Sequence, residues 1–144
     1  MKTTKFLILI ILLGNVLTSY SQVNNAKMQA VFIYNYTKLV LWPDDYRSGD
    51  FIIGVIGSGD IVSELENMAK TKKAGNQNIV IKKYNSGTDV SKCHILLVTS
   101  SQSSKIASAV TNTNKFSTLI VTDNNGAIEK GSCINFVIDG GKQK

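Results

Sequence analysis

His94 is the only histidine in the chain, and the thiol of Cys93 stands immediately before it. A thiol beside an imidazole is the pairing that nucleophilic catalysis uses. Neighbouring residues on a strand point to opposite faces, however, so these two side chains are not expected to meet. One histidine also falls short of a zinc set, and neither C-x-x-C nor H-x-x-x-H spacing occurs. His94 is therefore expected to be a structural residue at a strand entrance. Asp44 and Asp45 are paired carboxylates, but they follow Pro43 in an open loop where nothing raises a pKa. Gly54, Gly57 and Gly59 follow a strand in the order G-x-x-G-x-G, not the G-x-G-x-x-G of a dinucleotide turn, and no acidic residue closes the next strand. A nucleophile elbow of the G-x-S-x-G kind is absent too. No catalytic residue, cofactor or metal ligand is expected.

Asp123 is different, because it lies just past the carboxyl end of a buried strand, the edge at which open parallel sheets bind ligands. Gly57, Ser58, Thr99 and Ser100 hold equivalent positions after other strands. Capping and turn roles account for each of the five residues; a ligand edge is the alternative.

The elements that would position these residues follow from periodicity. Residues 26–42 are apolar or aromatic on nearly every face and predict a largely buried helix, stopped at Trp42 because Pro43 disfavours αR before it. Tyr34 and Trp42 belong to its core side, and Gln29, Asn35 and Lys38 to its exposed side. The run 51–56 reads as a buried strand. Asp60 is placed to cap a helix with Ile61, Leu65, Met68 and Ala69 at helical spacing, and Lys70, Lys72 and Lys73 suit its end. Gly75-Asn76 turns into a strand over 79–84. A fully apolar strand follows over 94–98, then a modest helix capped by Thr99-Ser100-Ser101. Strands over 118–122 and 134–138 complete the set, with one helical turn over 127–130 between them and Gly140-Gly141 after the last. Short apolar strands alternating with helices predict an α/β domain: a three-layer, Rossmann-like or flavodoxin-like sheet, mostly parallel, with an additional N-terminal helix.

Residues 1–21 are expected to lie outside this domain. Lys2 and Lys5 precede an unbroken apolar run, Phe6 to Leu13, and Ser19 and Ser21 frame a cut before Gln22, the layout of a secretory signal peptide. The run is far shorter than the roughly 20 apolar residues that a membrane span needs. No cysteine follows it, which argues against a lipoprotein. Removing this leader takes the formal charge from +6 to +4. The remaining lysines are scattered, so no nucleic-acid partner is expected. The mature domain, 22–144, is expected to be periplasmic and to contain no transmembrane span. At 43% hydrophobic and 18% charged, the chain can bury one core and is neither disordered nor collagen-like. Cys93 and Cys133 start strands with another strand between them, roughly 10 Å apart. That exceeds the roughly 7 Å limit for a disulfide, so both are expected to be unpaired and mostly buried.

The stretch Phe32-Ile33-Tyr34-Asn35-Tyr36-Thr37-Lys38, followed by Trp42-Pro43, is similar to the opening "F-x-Y-N-F-x-K-x-x-x-W-P" signature of the YfiR-like (DUF4154) family of exported proteins. FIIGVIG at 51–57, Cys93-His94-Ile95-Leu96-Leu97-Val98 and GSCINFVIDGGK at 131–142 agree in order. The resemblance spans residues 26–142. It implies a periplasmic α/β regulator and not an enzyme, with Phe32, Tyr34, Asn35, Lys38, Trp42, Pro43, Cys93 and His94 as signature residues. The implied partner is the periplasmic domain of an inner-membrane diguanylate cyclase or sensor kinase, whose cyclic-di-GMP or kinase output the regulator holds down; biofilm formation follows that output. A homodimer stays open. Some members form a disulfide with a second cysteine close to Cys133, which this sequence lacks. The family also continues beyond the position of Lys144 with an "F-E-I-N" strand and a helix, so the chain is expected to be truncated or to rely on a partner. The competing function is a small-ligand sensor using the strand ends at Gly57, Ser58, Thr99, Ser100 and Asp123.

Overall fold

A computed structural model describes residues 25–139 and 142–143. The expected signal peptide and Gly140-Gly141 lie outside the described residues. The chain opens with helix α1 (residues 25–39), then strand β1 (Phe51–Ile56), helix α2 (Asp60–Thr71) and the short strand β2 (Lys73–Ala74). Strands β3 (Gln77–Tyr84) and β4 (Ile95–Val98) follow, then helix α3 (Ile106–Thr113) and strand β5 (Leu119–Thr122). Three two-residue strands close it: β6 (Ile134–Asn135), β7 (Ile138–Asp139) and β8 (Lys142–Gln143).

The main sheet runs β2-β3-β1-β4-β5-β6 and is parallel except at β2. Without the β2 ribbon this is the doubly wound order of flavodoxin-like folds, with the switch point between β1 and β4. Strand alternation explains the layers. Phe51, Ile53 and Val55 join Ile95, Leu97 and Val121 on the face covered by Ala26, Ala30 and Ile33 of α1 and Ile61, Val62 and Leu65 of α2. Ile56, Leu96 and Val98 face the other way, onto Ile106 and Ala109 of α3. The expected α/β sheet with an N-terminal helix is the observed one.

Several boundaries move, each for a local reason. Helix α1 ends at residue 39, not at Trp42; its last turn is closed by the bond from Val40 N–H to the Tyr36 carbonyl at 3.2 Å. The chain then leaves the helix so that the Trp42 ring can swing under the sheet edge, where Pro43 holds φ at −57°. Nor is α1 buried all round: Val31 is 52% exposed and Leu39 78%, whereas Gln29, expected outside, is buried. Gly59, at φ 123°, occupies the N-cap of α2, and Asp60 is its first helical residue rather than its cap. Lys72 ends that helix in extended conformation and Lys73 belongs to β2. Gly75, at φ 59°, lets the chain fold β2 back on β3.

The helix expected from Thr99 begins as a 3-10 segment, Ser100–Lys105, broken at Gln102. The Thr99 hydroxyl bonds the Ser101 hydroxyl at 2.9 Å and caps no amide. The strand expected over 134–138 divides: β6 pairs with β5, and β7 turns away to pair with β8. Asn135 causes the parting, since its Oδ1 accepts from the Thr122 hydroxyl at 2.8 Å and the Asn124 N–H at 3.0 Å.

Candidate functional site

Four of the five strand-end residues converge. Ser58 after β1, Thr99 and Ser100 after β4, and Asp123 after β5 line one open cleft of about 330 Å³ at the switch point. Gly57 sits behind it: at φ 116° it brings the turn so close to β4 that a Cβ there would collide with the Thr99 hydroxyl. Asn25 and Gln29 of α1 and Asp60 of α2 also line it; the sequence reading placed Gln29 on an exposed helix side and Asp60 at a helix cap, and put none of the three at this cleft. A helix laid across a sheet edge leaves no local signal. Burial holds the Asp123 carboxyl above the usual carboxylate range, against hydrogen bonding from Ser100, and its Oδ1 is enclosed without a partner. Hydroxyls, amides and two carboxylates could hold a small polar molecule. Among the described residues no group of three or more His, Cys, Asp or Glu could hold a metal ion.

Cys93 and His94 diverge as expected. Cys93 is buried on the α3 side with its thiol pushed up to about 11 by burial, so it is no nucleophile. His94 points to the opposite side, into a ring cluster that sequence did not assemble. Its plane stacks on Phe51 with centroids 4.0 Å apart, and Trp42 and Tyr46 meet it edge-on at 5.3 and 5.1 Å. Ile52 N–H donates to Nδ1 at 3.1 Å, and Nε2 lies 2.7 Å from the Tyr46 carbonyl. Only a neutral ring with its proton on Nε2 satisfies both partners. Burial holds its pKa below the ordinary imidazole value. Both cysteines are free; Cys133, expected to be buried, is exposed at the start of the edge strand β6. Asp44 and Asp45 are exposed as expected, paired with Arg47 at 3.0 Å and Lys92 at 2.5 Å.

The remaining signature residues lie on α1. Lys38 holds its ammonium 4.2 Å from the centre of the Tyr34 ring, and Tyr34 is half-buried rather than in the core. Asn35 is half-buried, and Phe32 leans on Phe136 with ring centroids 6.1 Å apart. A mostly apolar groove of about 240 Å³, lined by Ala30, Val31, Tyr34 and Met68, runs between α1 and α2. Signature residues thus divide into buried anchors, Trp42 and His94 on one side of the sheet and Cys93 on the other, an exposed Pro43, and an outer helix face.

A protein-family model described as YfiR/HmsC-like (DUF4154) matches residues 26–144, which takes in all of that signature. The chain belongs to the YfiR/HmsC-like family. No curated protein and no solved structure matches it. Members of the YfiR/HmsC-like family are periplasmic regulators rather than enzymes. No helix among the described residues is long and apolar enough to cross a membrane.

Proposed function

We propose that this YfiR/HmsC-like chain is exported by a cleaved signal peptide and binds the periplasmic domain of an inner-membrane diguanylate cyclase or sensor kinase, holding its output down. The observation that carries the reading is the outer face of α1. Val31 and Leu39 are exposed about two turns apart on it, and Leu41 just beyond is 86% exposed. Lys27 and Lys38 are exposed beside Val31, so apolar and charged side chains share this face, as they do on protein-binding surfaces. The anchor behind this face, Trp42 on Phe51 and His94, keeps the helix end in a fixed position.

The test is complementation of cells lacking the gene, read as cyclic-di-GMP level or kinase output. Among Val31→Glu, Leu39→Glu and Lys38→Glu, one or two should abolish regulation and the rest weaken it, because few residues carry most of an interface's energy. Asp123→Asn should leave regulation intact. Mass spectrometry of the exported protein should find Gln22 at its N-terminus; an intact Met1 would defeat the leader. A second reading, a small-ligand sensor, draws on the convergence of Ser58, Thr99, Ser100 and Asp123 at the switch point. Loss of regulation by Asp123→Asn in a folded protein, with the α1 variants silent, would favour it.

A further inference from the structure

We propose that His94 is an acid-sensitive latch on the start of β1: its neutral ring accepts the Ile52 N–H while holding the Tyr46 carbonyl, and a second proton releases Ile52. The latch is a property of the chain itself and goes beyond the regulatory reading, whatever α1 binds.

The geometry is specific about which atom fails. Nδ1 is an acceptor facing the Ile52 N–H at 3.1 Å. A proton there replaces the acceptor by a donor, so two N–H groups point at each other and the bond to β1 is lost. The imidazolium keeps the Tyr46 carbonyl at Nε2 and loses its hydration between Trp42, Tyr46 and Phe51. Contact with the Phe51 face offsets part of that cost.

Charges around the ring do not rescue it. On its own segment, Lys92 places an ammonium 4.1 Å from the centre of the Tyr46 ring, and its charge disfavours a cation at His94. From the turn, Asp45 is engaged by that same ammonium and Asp44 by Arg47. Asp50, ahead of β1, lines the shallow cleft that the ring borders. Cys93 faces the opposite layer and stays a neutral thiol throughout the acid range. The Tyr46 phenol accepts the Ser117 N–H at 2.9 Å, and β5 brings no charged group to the ring beyond it. A second hook exists: Gln77 Nε2 donates to the Tyr46 carbonyl at 3.0 Å.

The direction follows from linkage. An imidazole whose folded-state pKa is depressed binds its proton better when Ile52 is released and the ring is hydrated. Its stabilising contribution is complete above about pH 6.5 and is lost as pH falls from there through the folded-state value. The single histidine and single tryptophan make the test clean. Tag-free protein is titrated from neutral to acid while NMR follows the His94 ring and the Ile52 amide exchange, and fluorescence follows Trp42. The ring should be the Nε2–H tautomer at neutral pH and titrate below the ordinary value. Ile52 exchange, corrected for its intrinsic pH dependence, should accelerate about tenfold for each unit of that depression. Trp42 emission should shift with the same midpoint, because the Trp42 ring stands edge-on to His94. In His94→Gln the step at that midpoint should vanish. A ring that titrates at or above the ordinary value, or that titrates without any change at Ile52, overturns the latch even if His94→Gln does not fold.

Discussion

Replacing Trp42 with alanine tests whether the signature tryptophan is an anchor or a contact residue. The ring is nine-tenths buried, edge-on to Phe51 at 5.5 Å and stacked on Tyr46 at 6.4 Å. Burying an indole removes roughly 200 Å² from water, worth about 5 kcal/mol at roughly 25 cal/mol per Å². Against this stands Nε1, which is buried without a hydrogen-bond partner, a deficit of about 1–3 kcal/mol. Trp42→Ala removes both, so the net loss should be about 3 kcal/mol, the lower end of what buried aromatic truncations cost. For a domain of this size that lowers the melting temperature by roughly 10 °C. Trp42→Phe keeps most of the ring and removes the orphaned N–H, and should cost less than about 1 kcal/mol. Both are read by circular dichroism in urea and on heating, since the variants lack the fluorophore. An unchanged midpoint for Trp42→Ala would put the ring outside the core and make it a contact residue. A Trp42→Phe loss as large as that of Trp42→Ala would show that the N–H is satisfied.

Native protein treated with an alkylating reagent near pH 8 should be modified at exposed Cys133 and spared at Cys93, whereas denaturing without reductant should expose both; labelling at neither after denaturation would mean a disulfide. Gly57→Ala places a Cβ in the left-handed region and against the Thr99 hydroxyl, and should cost about 1–3 kcal/mol in a denaturant melt. Adding Thr99→Ala should recover the collision but not the backbone strain. Asp123 has a raised pKa, so its contribution is complete below the ordinary carboxylate value and is lost as pH rises through the folded-state value. Asp123→Asn should accordingly raise the denaturant midpoint at neutral pH and lose that advantage in acid; an advantage that persists in acid would refute burial as the cause.

Much of the sheet was legible because its signals are local. FIIGVI at 51–56 and ILLV at 95–98 are short apolar runs between turn residues, and both became central strands. The convergence of Ser58, Thr99, Ser100 and Asp123 followed from one rule about the carboxyl ends of parallel strands. What escaped was long-range. Nothing near Trp42 signals that its ring must reach His94, so periodicity carries the helix on to Trp42 whereas it ends at residue 39. Ile134 to Ile138 carries the pattern of a single strand, and only the Asn135 bonds to Thr122 and Asn124 show why it parts. The apolar periodicity of α1 is genuine, but periodicity reports amphipathic faces and not which of them finds a neighbour. Hence Gln29 lies inside and Leu39 outside.

The contact of Phe32 with Phe136 has a consequence for the order in which the chain becomes structured. Helix α1 is the first element of the domain to be synthesised, yet Phe136, in the same apolar cluster as Ala26, Ala30 and Ile33, comes after β6, near the other end. Its covering surface is thus incomplete until the segment after β6 is in place. The β3-β1-β4 centre can pair as soon as Val98 is available, and the helix must wait for the last part of its seat. The seat of α1 is thus closed by contacts far apart in sequence, which form more slowly than the pairing of the central strands.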